Sequence, residues 1–211
     1  MVITWFGHSC FLLENSCGEK VLMDPFNKCL GGTPYKGSVD IVTISHDHFD
    51  HNYTDLINPG AMIINTPCLY ESSSIKIQGI PSYHDNIKGA KRGNNIIYII
   101  ETDNLRLCHL GDLGHMLSDK ELDLLGTLDV LFIPVGGNFT IDPEIAAKLC
   151  SKIQSKLVIP MHYKIPHIDF PVYGIEKFIA FMNNAMNLKS HTLTIDNTPL
   201  EGVNMVKIFE L

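Results

Sequence analysis

The chain has 211 residues, of which 45% are hydrophobic and 18% charged, and its formal net charge is −7. This composition excludes a disordered chain, and the acidic charge gives no general attraction for nucleic acid or anionic membranes. No apolar run approaches the roughly 20 residues of a membrane-spanning helix, and the N-terminus lacks the charged segment of a signal peptide. We therefore expect a single domain over residues 1–211, located in the cytoplasm, where six cysteines without a C-x-x-C pair stay reduced.

The first half of the chain predicts mainly β-strands. Apolar runs bounded by glycine, proline or asparagine turns indicate strands over 2–6, 9–14, 20–23, 40–44, 61–64, 74–80, 95–101 and 104–110. Three glycines and a proline between residues 26 and 39 predict a surface loop. A short helix is predicted over 54–57.

The second half predicts alternating helices and strands. Ser118, followed three residues later by Glu121, forms a capping-box pattern, which predicts a helix to residue 125. Asp142-Pro143 predicts the start of another helix. Apolar periodicity adds a helix over 174–186 and strands over 129–135, 156–159 and 203–209. This succession indicates an α/β fold.

A dense cluster of metal-binding residue types follows the predicted strand 40–44. The segment Ser45-His46-Asp47-His48-Phe49-Asp50-His51 contains the pattern H-x-H-x-D-H. Imidazole nitrogens and carboxylate oxygens are ordinary ligands of zinc and its first-row neighbours. On an extended backbone, residues two apart project the same way, so His46 and His48 can converge on one ion, while Asp50 and His51 can face a second. The alternative, a polar loop of solvated histidines, does not explain so dense a cluster at the end of a buried strand.

Three further candidates stand after other predicted strands. His84 follows the strand 74–80, Asp112 follows 104–110 and His162 follows 156–159. A lone histidine at a strand end is more often structural or solvated. All three share the setting of the H-x-H-x-D-H cluster, however, and that cluster needs partners. Together they predict further ligands of one metal site.

In these residues the chain resembles the metallo-β-lactamase superfamily. Asp24 after the third strand, the H-x-H-x-D-H cluster, His84, Asp112 and His162 stand in the superfamily's order. Four segments of the chain resemble the small branch of Zn-dependent hydrolases of the β-lactamase fold, and this branch includes ascorbate-6-phosphate lactonase. The segments are WFGHSC at 5–10, HLGDLGH at 109–115, PVGG at 134–137 and IPMHY at 159–163. The resemblance implies a four-layer αββα sandwich, with two mixed β-sheets, helices outside them and the site at one edge.

The resemblance also assigns the ligands, which spacing alone leaves open. By position, the first metal ion would be held by His46, His48 and His84. The second would be held by Asp50, His51 and His162. Asp112 would bridge the two ions, and Asp24 would orient ligands from outside the coordination shell.

The chemistry that follows from the resemblance is metal-assisted hydrolysis. Two divalent ions about 3.5–4 Å apart lower the pKa of a bridging water, so that hydroxide is present near neutral pH. Asp50 and Asp112 are the expected catalytic carboxylates, which take up a proton as the leaving group departs. Zinc is the first choice, and the same ligand set accepts manganese or iron. His48 stands where oxygen-reducing di-iron members carry glutamate, which disfavours redox chemistry.

A second set of residues is expected to line the substrate pocket. Arg92 belongs to the basic loop 86–94, which suits a phosphate or carboxylate group; a solvated hairpin loop is the alternative. The other candidates are His8, His115, Asn138 and Tyr163. Asn138 and Tyr163 follow strand ends, where a polar side chain can stabilise an oxyanion. For His8 the alternative is a buried, hydrogen-bonded histidine.

The sequence therefore predicts a metal-dependent hydrolase that acts on a small, anionic, ester-type substrate, and the resemblance favours a lactone. The enzymatic alternative is a phosphodiesterase or nuclease-type hydrolase, although the acidic charge makes nucleic acid an unfavoured partner. The alternative from another class is a non-catalytic, metal-holding sensor or binding protein. A homo-oligomer is compatible with the sequence.

Overall fold

Two mixed β-sheets pack face to face in the computed structural model, which describes residues 1–166, 168, 170–196 and 200–211. The strands are β1 (Val2–Gly7), β2 (Cys10–Glu14), β3 (Lys20–Met23), β4 (Ile41–Thr43), β5 (Met62–Ile64), β6 (Leu69–Glu71), β7 (Lys76–Tyr83), β8 (Asn94–Thr102), β9 (Leu105–His109), β10 (Val130–Pro134), β11 (Leu157–Met161), β12 (Ala185–Asn187), β13 (Thr192–Thr194) and β14 (Met205–Ile208).

The smaller sheet has the strand order β13-β1-β2-β3-β4-β5 and the larger one β12-β14-β11-β10-β9-β8-β7-β6. In the smaller sheet, the pairs β13–β1, β1–β2 and β2–β3 are antiparallel, whereas the pairs β3–β4 and β4–β5 are parallel. In the larger sheet, β6 to β9 are antiparallel and β9, β10, β11 and β14 are parallel. The predicted pair of mixed sheets is confirmed.

Helices connect the parallel strands of the larger sheet. Along the described chain they are α1 (Asp119–Leu125), α2 (Pro143–Ile153) and α3 (Glu176–Ile179), with a 3₁₀ turn at Lys28–Leu30. Parallel neighbours need such crossovers, and α1 and α2 join β9 to β10 and β10 to β11. The helix starts predicted at Ser118 and Asp142 are confirmed, because each side chain caps its helix by accepting a backbone N–H. No described helix is long and apolar enough to cross a membrane.

The hydrophobic core lies between the two sheets. Phe11 of the smaller sheet contacts Phe132 of the larger sheet with ring centroids 4.7 Å apart. The hydroxyl of Tyr98, on β8, donates to the carbonyl oxygens of Ile44 and Ile64, at 2.9 and 2.8 Å. Ile44 directly follows β4 and Ile64 is the last residue of β5, both in the smaller sheet. A buried tyrosine that finds such partners combines apolar packing with a specific polar link, so the alignment of the sheets is fixed next to the start of the H-x-H-x-D-H loop.

Two predicted helices are wrong in whole or part. Residues 55 and 56 form a turn, and Ile57 pairs with Gly37 in an isolated β-bridge instead. The helix predicted over 174–186 is limited to the single turn of α3. Beyond it, Ala185–Asn187 becomes β12, because β14 offers an open edge for parallel pairing, and the Asn183-Asn184 pair has low helix propensity.

The carboxyl ends of several strands meet at one edge of the sandwich. Asp24 N, just after β3, donates to Thr43 O at the end of β4, at 2.9 Å. In the larger sheet, β7, β9, β10 and β11 end on the same side, because β7 and β9 both run antiparallel to β8. The loops that leave these strand ends carry the predicted metal ligands, so the topology gathers them at this edge.

Candidate metal centre

The predicted ligands converge at the edge where the strands end. Ligand atoms that lie within 4.8 Å of one another form three overlapping groups among the described residues: His46, His48 and His84; His46, His51 and Asp112; and His8, Asp50, His51 and His162. All seven predicted ligands occur in these groups. His8, predicted to line the substrate pocket, belongs to the third of these groups.

Asp112 occupies the middle of the cluster. Its Oδ2 lies 3.3 Å from both His51 Nε2 and His84 Nε2, 3.1 Å from His162 Nε2 and 3.9 Å from His46 Nε2. The carboxylate is buried. A single oxygen surrounded by four imidazole nitrogens is the arrangement expected of a ligand shared between cations.

Buried polar atoms without a hydrogen-bond partner provide a test of whether the residues fit a metal. His46 Nε2, His162 Nε2 and Asp112 Oδ1 are buried and find no hydrogen-bond partner among the described residues. Leaving such an atom unpaired costs about 1–3 kcal/mol. Since nitrogen and oxygen lone pairs of this kind are ordinary metal ligands, a bound cation satisfies them, and the residues fit a divalent metal.

Asp24 anchors the cluster from behind, as predicted for a residue that orients ligands. Its carboxylate accepts hydrogen bonds from Ser45 N at 2.7 Å, Ser45 Oγ at 2.6 Å and His51 Nδ1 at 2.9 Å. Ser45 Oγ in turn accepts from His46 Nδ1 at 2.8 Å. Because the Nδ1 atom of each histidine is held from behind, each ring directs its Nε2 to the centre.

The charges of the cluster suit a cation. Burial opposes ionisation of Asp112, but His162 and His51 outweigh it and hold the pKa of this carboxyl well below its usual range. Burial also opposes the charge on His51, but the carboxylates of Asp112, Asp50 and Asp24 raise its pKa well above the ordinary value. Burial and the neighbouring His51 lower the pKa of His46 to about 3, so this imidazole is neutral at physiological pH. Ionised carboxylates beside imidazoles form a donor set for a metal, and a cation that binds there would displace the extra proton of His51.

Asn95 and Ser45 were not predicted from the sequence. Asn95 Oδ1 accepts from Asp112 N at 2.9 Å, and its Nδ2 donates to Leu110 O at 2.9 Å, so one side chain holds both ends of the turn before Asp112. Gly111 lies in that turn at φ +55°, and a Cβ there would be 2.4 Å from Asn95 Oδ1. Asparagine and serine are not typical metal ligands, so the sequence pattern does not single out Asn95 or Ser45. In the sequence, only the Gly111-Asp112 pair indicates a tight turn that needs such support.

Asp85 organises the basic loop that follows His84. Its Oδ1 accepts from the backbone N–H groups of Ile87 and Gly89, at 2.9 and 2.8 Å. Its Oδ2 accepts from those of Lys91 and Arg92, both at 2.8 Å. Burial opposes the charge, but the four hydrogen bonds lower the pKa of Asp85 to about 2. The loop therefore has a fixed shape, and most of its residues are exposed.

Arg92 spans the rim of the site. Its Nη2 donates to Asn138 O at 2.9 Å, and its guanidinium lies 5.2 Å from the centroid of the Phe139 ring. Asn138 is exposed, and its Nδ2 donates to Pro171 O at 2.9 Å. Arg92 also lines a cavity of about 590 Å³ together with His46, His48 and Asn95. This predicted residue thus lies at the mouth of the cluster.

The other two pocket candidates lie elsewhere. His115 is half-buried, its ring nitrogen Nδ1 faces Met116 O at 3.1 Å, and it belongs to none of the three metal-binding groups found in the described chain. Tyr163 is buried, its ring stacks on Trp5 at 5.7 Å, and it lines a different cavity of about 900 Å³. Burial raises the pKa of the Tyr163 hydroxyl. The geometry thus gives Tyr163 a packing role beside the cluster.

A two-sheet sandwich with histidines and carboxylates gathered at one edge defines the class of protein. The Beta-lactamase superfamily domain matches residues 2–162. A UPF0173 metal-dependent hydrolase of Thermococcus onnurineus is 30% identical over 192 residues, covering 76% of this chain and 84% of the relative. A second one, from Methanosphaera stadtmanae, is 30% identical over 240 residues, covering 95% and 98%.

A solved structure is similar over nearly the whole chain. It is described as a Zn-dependent hydrolase of the metallo-β-lactamase superfamily from Thermotoga maritima. It has a TM-score of 0.82 and 31% identity, and the match covers 99% of this chain and 97% of that one. The chain belongs to the β-lactamase superfamily. It is a metal-dependent hydrolase of the metallo-β-lactamase fold.

Proposed function

We propose that the chain hydrolyses a small ester-type substrate, a lactone in the first place, at a centre of two divalent metal ions. The observation that carries this proposal is the position of Asp112. Its Oδ2 lies 3.3 Å from His84 of one proposed ligand set and 3.3 Å from His51 of the other. One carboxylate between two sets of histidines supports two ions that share a ligand.

The groups of ligand atoms in the structure support the ligand sets that the resemblance implies. His46, His48 and His84 would hold the first ion. Asp50, His51 and His162 would hold the second, with Asp112 between them. Imidazole and carboxylate donors favour zinc, and the zinc-dependent description of the Thermotoga maritima relative supports that choice. Manganese and iron are accepted by the same donors.

The chemistry of hydrolysis is divided between the ions and the chain. When bound, the two ions would lower the pKa of a coordinated water and polarise the oxygen of the scissile ester. Asp50 and Asp112 are ionised, since neighbouring histidines outweigh burial and lower the pKa of both carboxyls. They are therefore the groups that can accept a proton from the attacking water at Oδ and pass it to the leaving oxygen, so that the alcohol forms.

The surroundings of the first ligand set favour a small, anionic substrate. The cavity beside His46 and His48 is about 590 Å³ in volume, and Arg92 and Asp47 both line it. Arg92 belongs to a loop that also carries Lys88 and Lys91, which lie outside the cavity lining. A guanidinium next to a hydrolytic centre suits a carboxylate or phosphate carried by the substrate. These features support a charged lactone over a long nucleic acid.

A cytoplasmic location belongs to the same proposal. All six cysteines are free thiols, and Cys10, Cys108 and Cys150 are buried. A reducing compartment keeps such thiols unpaired.

The experiment is a turnover screen of the purified chain, before and after treatment with a chelator. The substrates are neutral lactones, lactones carrying a carboxylate or phosphate, and bis(p-nitrophenyl) phosphate. We expect chelator-sensitive hydrolysis of the charged lactones, restored by adding zinc. His191→Ala, which changes an exposed histidine, is the matched control for each histidine variant.

Three outcomes divide the alternatives. Hydrolysis of the phosphodiester without hydrolysis of any lactone would replace the lactone proposal with a phosphodiesterase. Turnover that resists exhaustive chelation would remove the metal from the reaction. Tight metal binding without turnover of any ester would favour a metal-holding sensor.

A further inference from the structure

We propose that His8 is a metal ligand, whose Nε2 completes a four-residue set with Asp50, His51 and His162 around the second ion. The inference rests on the proposed metal centre and adds a ligand to it. His8 is remote in sequence from all of the other ligands and comes from the break between β1 and β2.

The backbone presents His8 to the cluster in an unusual conformation. His8 follows Gly7 at the end of β1 and has φ +53°, in the left-handed region that non-glycine residues rarely adopt. Trp5 Nε1 donates to His8 O at 3.1 Å, and His162 N donates to the same oxygen at 3.3 Å. His162 also has φ +53°. Two hydrogen bonds thus hold a strained residue in place, which is characteristic of functional sites.

Three distances fit ligand atoms that share one metal ion. His8 Nε2 lies 3.1 Å from Asp50 Oδ2 and 3.3 Å from His51 Nε2, and these last two atoms are 3.6 Å apart. Ligands bound to zinc at 2.0–2.1 Å lie about 3 to 3.5 Å from their neighbours around the ion. The ring of His8 also lies 4.2 Å from that of His162, centroid to centroid.

The two ions would then differ in accessibility. His8, Asp50, His51 and His162 are all buried, whereas His48 of the first set is exposed. The cavity of about 590 Å³ is lined by His46 and His48 and by none of the four residues around the second ion. We therefore expect the second ion to be the tightly held one, and the substrate to approach the first.

The test is a Co²⁺ titration of the metal-free full-length chain, followed by the visible absorption of the bound ion. Wild type is compared with His8→Asn, which tolerates the left-handed backbone, and with the control His191→Ala. We expect His8→Asn to weaken the tighter of two Co²⁺ sites by at least about 10- to 100-fold and to change its absorption bands, while the weaker site stays as in wild type. Unchanged affinities and bands would overturn the inference.

A second measurement requires no variant. In wild type loaded with an NMR-active cadmium isotope, a proton–cadmium correlation shows which imidazole rings are bonded to metal. Coupling to the ring protons of His8 is expected, and its absence while the His51 and His162 rings are coupled would overturn the inference. If wild type binds only one ion per chain, the proposed two-ion centre fails, whereas His8 is still judged by whether its ring couples to that ion.

Discussion

Asp24 Oδ2 accepts a hydrogen bond from His51 Nδ1 at 2.9 Å, and both side chains are fully buried. The other ring nitrogen of His51 faces Asp112 Oδ2 at 3.3 Å and Asp50 Oδ2 at 3.6 Å. Asp24 thereby determines the orientation of a proposed metal ligand, although it lies outside the proposed ligand sets itself.

Asp24→Asn should weaken metal binding without changing the ligands. The amide has no negative charge with which to hold the Nδ1 proton of His51, so the imidazole is free to rotate or change tautomer. We expect the affinity of the second ion to fall about 10- to 100-fold, measured by competition with a coloured chelator. Asp55→Asn, at an exposed aspartate, should bind as wild type does. Equal affinities in the two variants would contradict the anchoring role.

His48→Ala and Asp112→Ala should both abolish turnover and differ in their effect on folding. His48 is exposed, so its loss should change the free energy of unfolding by about 0.5 kcal/mol or less in the metal-free protein. Asp112 is buried beside His51, and its removal takes away the carboxylate that contributes most to stabilising the charge of this buried imidazole. Urea unfolding and a lactone assay on the same preparations check this. Turnover that survives in both variants would show that the centre lies elsewhere.

Arg92→Ala should impair binding of charged substrates. For a lactone that carries a carboxylate or phosphate, we expect KM to rise on the order of 10-fold with kcat little changed, because a positive charge near the cavity wall is lost. A neutral lactone should not respond. Arg92→Lys should be intermediate, since it keeps the charge but loses the planar contact with Phe139. Lys120→Ala, on the exposed face of α1, is the control. If Arg92→Ala raised the KM of the neutral lactone by the same factor as that of the charged lactone, recognition of the substrate's charge by Arg92 would be contradicted.

Asp85→Asn should reduce stability in a pH-dependent manner. The pKa of Asp85 is lowered to about 2 in the folded chain, against about 3.9 for an unfolded carboxyl. The unfolded chain therefore binds more protons between these values, so the stabilisation by Asp85 is complete above about pH 4 and is lost as the pH falls towards 2. Urea unfolding of wild type and variant should show a wider gap at pH 6 than at pH 3. Asp123→Asn is the exposed control, and a gap independent of pH would contradict the assignment.

The sequence predicted those parts of the structure that depend on local pattern. Each buried strand is recognisable in the sequence as an apolar run. The polar residue just after such a run, for example Asp24, His84 or His162, lies at the edge of the sandwich where the strands end. Helix starts at Ser118 and Asp142 have capping residues that can be recognised from the sequence alone.

What could not be predicted depends on contacts between distant segments. β6, β12 and β13 are three-residue edge strands that form because a partner strand offers free hydrogen bonds. Asn95 and Ser45 support Asp112 and His46 through ordinary polar side chains. The position of His8 among the ligands depends on its backbone conformation and on contact with His162, and neither is encoded in residue spacing.

Metal content per chain, determined by elemental analysis of protein purified without added metal, tests the central claim most directly. Wild type and Asp112→Ala are measured side by side after reconstitution with zinc. The account predicts about two ions per wild-type chain and fewer in the variant, because Asp112 is the ligand that the two ions share. A wild-type chain that holds no more than one ion, or an Asp112→Ala chain that still holds two, would contradict it.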